Sequence, residues 1–111
     1  MAVVRCKPGC SFGGFTKPLV KILGAVVDVA SDQIDPDTVF ITSGSDGDHH
    51  PKSQHYAFKA IDLRTKNFPS RDAVLRFQSR LQHTLGSDFT VIHEGQGTGN
   101  EHLHVQARKR L

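Results

Sequence analysis

Apolar residues recur at helical spacing in two segments of the chain and at strand spacing in four others. The first helical segment has Pro18 in its first turn, a position that suits proline, and it ends at Ser31 and Asp32. Six of its positions form one broad apolar face that is expected to pack inward: Leu19, Ile22, Leu23, Val26, Val27 and Ala30.

The second helical segment follows Pro69. Ser70 is its predicted N-cap, Asp72 lies in the first turn, where the helix dipole favours an acidic residue, and Gly86 ends the helix. Its apolar stripe comprises Val74, Phe77, Leu81 and Leu85.

Four segments have the length and composition of β-strands, and they span residues 38–42, 60–64, 89–93 and 102–107. Strand alternation in the last segment places His102 and His104 on one face with Gln106, and Leu103 and Val105 on the other. The order α, β, β, α, β, β predicts an α+β fold, in which a small antiparallel sheet carries two helices packed on one face.

The length of 111 residues is enough for one domain and too few for two. Residues 1–15 are rich in glycine and are predicted to form an extended N-terminal arm with turns at Pro8-Gly9 and Gly13-Gly14. This arm carries both cysteines, Cys6 and Cys10. They could form a disulfide or half of a metal site, and the reduced form is the default without a signal peptide.

Charge and hydropathy limit the partners and the location that we expect. The net charge of +3 is mild, and much of it comes from Arg108-Lys109-Arg110. A solvated terminus is therefore favoured over an anionic polymer, and nucleic acid is not the expected partner. The chain start lacks the apolar run of a signal peptide, and no stretch approaches the ~20 apolar residues of a membrane span. Synthesis in the cytoplasm is expected, and the oligomeric state is left open.

Two short stretches carry the candidate chemistry. His55 and Asp62 are seven positions apart, and Glu101-His102-Leu103-His104 follows near the chain end. Zinc binds imidazole nitrogen and carboxylate oxygen, and a catalytic zinc keeps three protein ligands and leaves its fourth position to water. His55, Asp62 and His104 would supply the three ligands, and Glu101 would act on the water.

The sequence assigns no definite role to the other histidines. His83 and His93 are predicted to lie on the surface, whereas His49 and His50, in the polar loop before the first stretch, could line a cleft, take a second metal or be solvated. The glycine run of residues 94–100 is predicted to be a hairpin turn. A P-loop is excluded because no Lys-Ser/Thr opening a helix follows it.

A family resemblance rests on both stretches. Ser53-x-His55-x-x-Phe58-x-Ala60-x-Asp62 resembles the S-x-H-x-x-G-x-A-x-D motif of the zinc D-Ala-D-Ala carboxypeptidase and L-alanyl-D-glutamate endolysin family, which shares the hedgehog/DD-peptidase fold. Glu101-His102-Leu103-His104 resembles the second motif of that family, an acid three residues before the last zinc ligand. The resemblance covers roughly residues 38–106.

The resemblance implies a zinc metallopeptidase that hydrolyses peptidoglycan stem peptides, with one zinc held by His55, Asp62 and His104. Glu101 would then be the general base, and His102 would stabilise the oxyanion. Ser53 would orient a ligand or the substrate. The family includes small phage endolysins, so a phage-encoded protein that is delivered to the cell wall fits the resemblance.

Two departures from the family keep a second hypothesis open. Phe58 replaces the motif glycine, and the segment Thr42-Ser43-Gly44-Ser45-Asp46 lacks the arginine that the family carries in a segment like Ser-Gly-Tyr-Arg. Arg64, two residues beyond Asp62 on the same strand face, is the expected replacement for binding a substrate carboxylate. The alternative is a non-catalytic zinc-binding structural or binding module of the same fold, within a phage particle.

Overall fold

The computed structural model describes residues 3–33, 35–46, 53, 55 and 58–108. These residues form two helices and five strands, in the order β1 (Val3–Cys6), α1 (Lys17–Ser31), β2 (Thr38–Ser43), β3 (Ala60–Arg64), α2 (Arg71–Leu85), β4 (Phe89–Glu94) and β5 (His102–Ala107). The predicted α+β class is confirmed, and the four predicted strands are present with bounds that differ by at most one residue. None of the helices described is long and apolar enough to cross a membrane.

Both helices begin at capped residues. The Thr16 hydroxyl accepts a hydrogen bond from the Leu19 amide at the start of α1, and the Ser70 hydroxyl accepts one from the Ala73 amide at the start of α2. Such caps satisfy backbone donors that have no partner within the helix. Gly86 ends α2 with a φ of 82°, which glycine adopts without steric cost.

The sheet has the strand order β1-β2-β3-β5-β4 and is mixed. β1 pairs with β2 in parallel, and the other three pairings are antiparallel. The prediction of a purely antiparallel sheet is therefore wrong, and part of the predicted arm, Val3–Cys6, is a strand. The connection β1-α1-β2 explains the parallel pairing, because a helical crossover returns the chain to the sheet in the same direction.

One hydrophobic core joins both helices to one face of the sheet. In β5 the buried residues Leu103, Val105 and Ala107 belong to this core, whereas His102, His104 and Gln106 alternate with them and are half-buried. The predicted alternation of β5 is confirmed. The sheet therefore presents polar side chains from β3 and β5 on the face away from the helices, and the candidate site lies there.

Candidate metal centre

Strand pairing brings Asp62 and His104 together, because they lie directly opposite one another in the β3–β5 register. Side chains of directly opposite residues on one face start about 4.5–5.5 Å apart. His55 comes from the turn that precedes β3, where its amide donates to the Ser53 hydroxyl at 3.1 Å and its carbonyl accepts from the Phe58 amide at 3.1 Å. Side chains from β3, from the turn before it and from β5, about 40 residues further along the chain, thus meet at one point.

Three ligand atoms of this cluster form a compact triangle. The Nε2 atom of His55 lies 3.3 Å from Nδ1 of His104 and 3.3 Å from Oδ1 of Asp62, and the last two atoms are 2.9 Å apart. In the part of the chain that the structure describes, this is the one group of three potential ligands close enough to share a metal ion. The predicted ligand set is therefore assembled as a cluster that could hold a metal.

The remaining ring nitrogens face oxygen acceptors. Nδ1 of His55 is 2.7 Å from the Gly44 carbonyl oxygen, and Nε2 of His104 is 2.7 Å from Oε1 of Gln106. A proton on each of these nitrogens leaves the opposite nitrogen with a lone pair that points into the triangle. Histidine ligands of metal ions are commonly oriented by such a partner.

Hydrogen bonds within the cluster shift the pKa values of Asp62 and His104. Burial opposes ionisation of Asp62, but hydrogen bonds with His104 and His55 outweigh it and hold the pKa of this carboxyl well below its usual range. Burial likewise opposes a charged His104, yet the hydrogen bonds with Asp62 and Gln106 raise the pKa of its ring from its usual value. A metal ion at this site therefore competes with a proton for His104.

Ser11 in the N-terminal segment contacts Gly44 and Asp46, which lie in the loop after β2. Gly44 is buried, and a Cβ atom placed there would lie 2.4 Å from the Ser11 carbonyl oxygen, so only glycine fits. Oδ1 of Asp46 accepts hydrogen bonds from the amides of Ser11 and Gly44, both at 2.9 Å. Asp46, which replaces the arginine of the resembled family, thus fastens the loop whose carbonyl orients His55.

Phe58 keeps a backbone conformation that favours glycine. It is the one non-glycine residue with positive φ, at 58°, among the residues described. Its carbonyl accepts a hydrogen bond from the Thr16 hydroxyl at 2.7 Å, and its ring lies against Gly13 and Gly14. The turn therefore has the shape that a motif glycine would provide, and the ring is accommodated by the two glycines of the N-terminal segment.

This conformation predicts an unusual order of stability for two variants. Phe58→Gly and Phe58→Ala both remove the ring, but only glycine adopts positive φ without a clash between Cβ and the backbone. We expect the glycine variant to exceed the alanine variant by about 1 kcal/mol in the free energy of unfolding, measured by chemical denaturation. An alanine variant of equal or greater stability would show that the turn is not held in the left-handed region.

An open cleft of about 690 Å³ contains the cluster. All seven predicted site residues line it: Ser53, His55, Asp62, Arg64, Glu101, His102 and His104. Nε2 of His102 is 3.8 Å from Oδ1 of Asp62, so this ring lies beside the cluster. The guanidinium of Arg64 stacks on the Phe40 ring at 4.6 Å, directly opposite His102 in the sheet. The seven residues predicted from the sequence therefore share one surface.

Glu101 lines the cleft, but its carboxylate is engaged elsewhere. Oε2 of Glu101 is 2.5 Å from Nε2 of His93, whose side chain is 4% exposed. The prediction that His93 lies on the surface is therefore wrong, because His93 pairs with Leu103 in the sheet and shares its inward face. His83 is exposed, as predicted. His49 and His50 lie outside the described residues.

Three further residues of the site were not assigned a role from sequence. Gly44 and Gln106 orient the two histidines of the cluster, and Oε1 of Glu94 is 3.1 Å from Nε2 of His102. The other nitrogen of His102 faces the Asn100 carbonyl oxygen at 2.7 Å, so the ring has an acceptor at each nitrogen. Only Gln106 had a signal in the sequence, because strand alternation places it on the same face as His104 and so within reach of that ring.

Neither a comparison with known protein families nor one with curated proteins finds a match for this chain. The function is therefore inferred from the geometry of the cluster and from the two sequence motifs that supply its residues.

Proposed function

We propose that the protein is a zinc-dependent peptidase that hydrolyses peptidoglycan stem peptides, as a D-Ala-D-Ala carboxypeptidase or an endolysin-like endopeptidase. The observation that carries the proposal is the triangle of His55, Asp62 and His104 in an open cleft. A closed structural site usually provides four protein ligands, whereas the described residues provide three here and line a cleft.

The donor set fits zinc in its chemistry and spacing. Zinc bonds to imidazole nitrogen and carboxylate oxygen are about 2.0–2.2 Å, so tetrahedral coordination separates two ligand atoms by roughly 3.3 Å. The three separations in the cluster are 2.9, 3.3 and 3.3 Å. The backbone carbonyl oxygen of Gly44 and the side-chain amide oxygen of Gln106 accept from the rings of His55 and His104 and orient their opposite nitrogens for coordination.

A zinc ion in such a site would activate a water and polarise the scissile carbonyl. Of the residues around it, His102 is the proposed hydrogen-bond donor to a developing oxyanion, because its ring lines the cleft beside Asp62, and its Nε2 must leave the Glu94 carboxylate to act. Glu101 is the proposed proton acceptor, and its carboxylate must turn from His93 towards the cleft to act. The Ser53 hydroxyl accepts from the His55 amide and so positions that ligand.

Arg64 is proposed to bind a carboxylate of the substrate. Its guanidinium lines the cleft and forms no ion pair with the described residues. Arg64→Ala should lower kcat/KM by roughly 10- to 150-fold, because a charged hydrogen bond of about 1.5–3 kcal/mol is lost, while the zinc content stays unchanged. Steady-state kinetics and metal analysis of the same preparation check this. An unchanged kcat/KM would contradict the assignment.

A second candidate function has one observation in its favour. The bond between Glu101 and His93 occupies the carboxylate that the peptidase mechanism needs. This favours a structural or binding module in which the metal only stabilises the fold, as in a component of a phage particle.

One experiment separates the two candidates. The purified protein is analysed for metal, loaded with zinc and incubated with peptidoglycan, and the released peptides are identified by mass spectrometry. A peptidase releases defined peptides only with zinc present, and removal of the metal by a chelator abolishes the release. A protein that binds one zinc and releases no peptide is the structural module.

A further inference from the structure

The strand that was not predicted from sequence brings a further charge to the cleft. Lys7 follows β1 directly and lines the same cleft as the metal cluster. Both backbone groups of Lys7 are hydrogen-bonded. Its amide donates to the Ile41 carbonyl at 2.9 Å, and its carbonyl accepts from the Cys10 amide at 3.0 Å. The sheet therefore sets the position of this lysine, and its side chain is exposed.

The acidic and basic side chains of the cleft differ in the partners that they have within the protein. Among the described residues, four carboxylates line it, and each is hydrogen-bonded to another part of the protein: Asp46, Asp62, Glu94 and Glu101. Its three cations, Lys7, Arg64 and Lys66, form no ion pair among the residues that the structure describes. Lys7, Arg64 and Lys66 are therefore the groups of the described cleft that can bind an anion without giving up an ion pair.

Lys7 and Arg64 lie at different distances from the metal cluster. Arg64 is two residues along β3 from Asp62, which corresponds to about 7 Å. β1 is two strands across the sheet from β3, which corresponds to about 10 Å. The first displacement runs along β3 and the second runs across the strands. Because an extended peptide advances by about 3.3–3.4 Å per residue, one that crosses the sheet from the metal cluster would meet Lys7 about three residues from the scissile bond and would pass Arg64 at its side.

We propose that Lys7 binds a second carboxylate of the substrate, about three residues from the bond that is cleaved. The preferred substrate is then an extended acidic peptide that crosses the sheet from the metal cluster towards β1. This inference rests on the proposed peptidase function and extends it, because Arg64 accounts for only the first anionic group.

The test compares two synthetic peptides that differ in one residue, Glu or Gln, three positions from the scissile bond. The wild type should hydrolyse the Glu peptide with a kcat/KM roughly three to five times that of the Gln peptide. Lys7→Gln should abolish this preference, so that the two peptides are hydrolysed with the same kcat/KM. Lys17→Gln, an equal change of charge at an exposed residue of α1 outside the cleft, should keep it.

Ionic strength provides an independent check, since about 1 M salt screens an exposed charge pair and should reduce the preference of the wild type. A preference that persists in Lys7→Gln, or that is absent in the wild type, overturns the inference while leaving the peptidase function standing.

The same peptides keep the inference testable if nothing is hydrolysed. Binding of each fluorescently labelled peptide to the zinc-loaded proteins is then measured by anisotropy. Tighter binding of the Glu peptide to the wild type and to Lys17→Gln, but not to Lys7→Gln, supports the Lys7 subsite in a non-catalytic protein. Equal binding of the Glu and Gln peptides to the wild type overturns it.

Discussion

Replacement of His55 or His104 by alanine is expected to abolish tight zinc binding. Each side chain supplies one of three ligand atoms that lie 2.9–3.3 Å apart, so either variant leaves only two. We expect one zinc per wild-type chain and a loss of affinity larger than the about 10–100-fold that removal of a partner of a ligand costs. The wild type should gain thermal stability on addition of zinc, whereas the variants should not, since binding to the folded state stabilises it.

Two comparison variants make this result specific. Gln106→Leu removes only the oxygen that holds the ring of His104, so its zinc affinity should fall by about 10–100-fold and zinc should still bind. His83→Ala removes an exposed histidine of α2 and should bind zinc like the wild type. Metal analysis and competitive titration with a chromophoric chelator measure all four variants. Full zinc occupancy in His55→Ala or His104→Ala would refute the ligand set.

Replacement of Glu101 by glutamine is expected to lower the rate of peptide hydrolysis by about 10²–10⁴-fold, the usual cost of losing a general base. Glutamine retains the shape of the side chain and a hydrogen bond to His93, so the variant should keep its fold and its zinc. The measurements are kcat on stem peptides, zinc content and the midpoint of thermal unfolding, all on the same preparation.

Glu94→Gln is the matched control, because it makes the same chemical change in the same cleft. The Glu94 carboxylate contacts His102, so its loss should reduce kcat less than the loss of Glu101. The reverse ranking would move the proton acceptor to the pair of Glu94 and His102. If the wild type hydrolyses no stem peptide and Glu101→Gln loses its zinc, the structural-module hypothesis is correct.

Local features of the chain were sufficient to predict most secondary structure. The caps at Ser70 and Gly86 act on neighbouring backbone groups, and the apolar stripe of α2 depends only on a repeat of 3.6 residues. The alternation in β5 likewise determines that His102 and His104 share a face. These properties involve residues a few positions apart, so sequence spacing alone determines them.

The ligand cluster was predicted for a different reason. Motif spacing identified His55, Asp62 and His104, although the spacing itself gives no distance between Asp62 and His104. Their contact depends on the antiparallel register of β3 and β5, which places the two residues directly opposite one another. The second partners of the rings, Gly44 and Gln106, became evident only once this register and the fold of the loop were known.

The remaining features depend on tertiary structure, and the sequence pattern either did not predict them or predicted them wrongly. β1 has only four residues, and its strand conformation depends on pairing with β2 rather than on local propensity. His93 is buried because the sheet turns its side chain towards the core, and there it binds the Glu101 carboxylate. The sequence therefore determined which side chains could hold a metal, whereas long-range packing determined where Glu101 points and that Lys7 reaches the cleft.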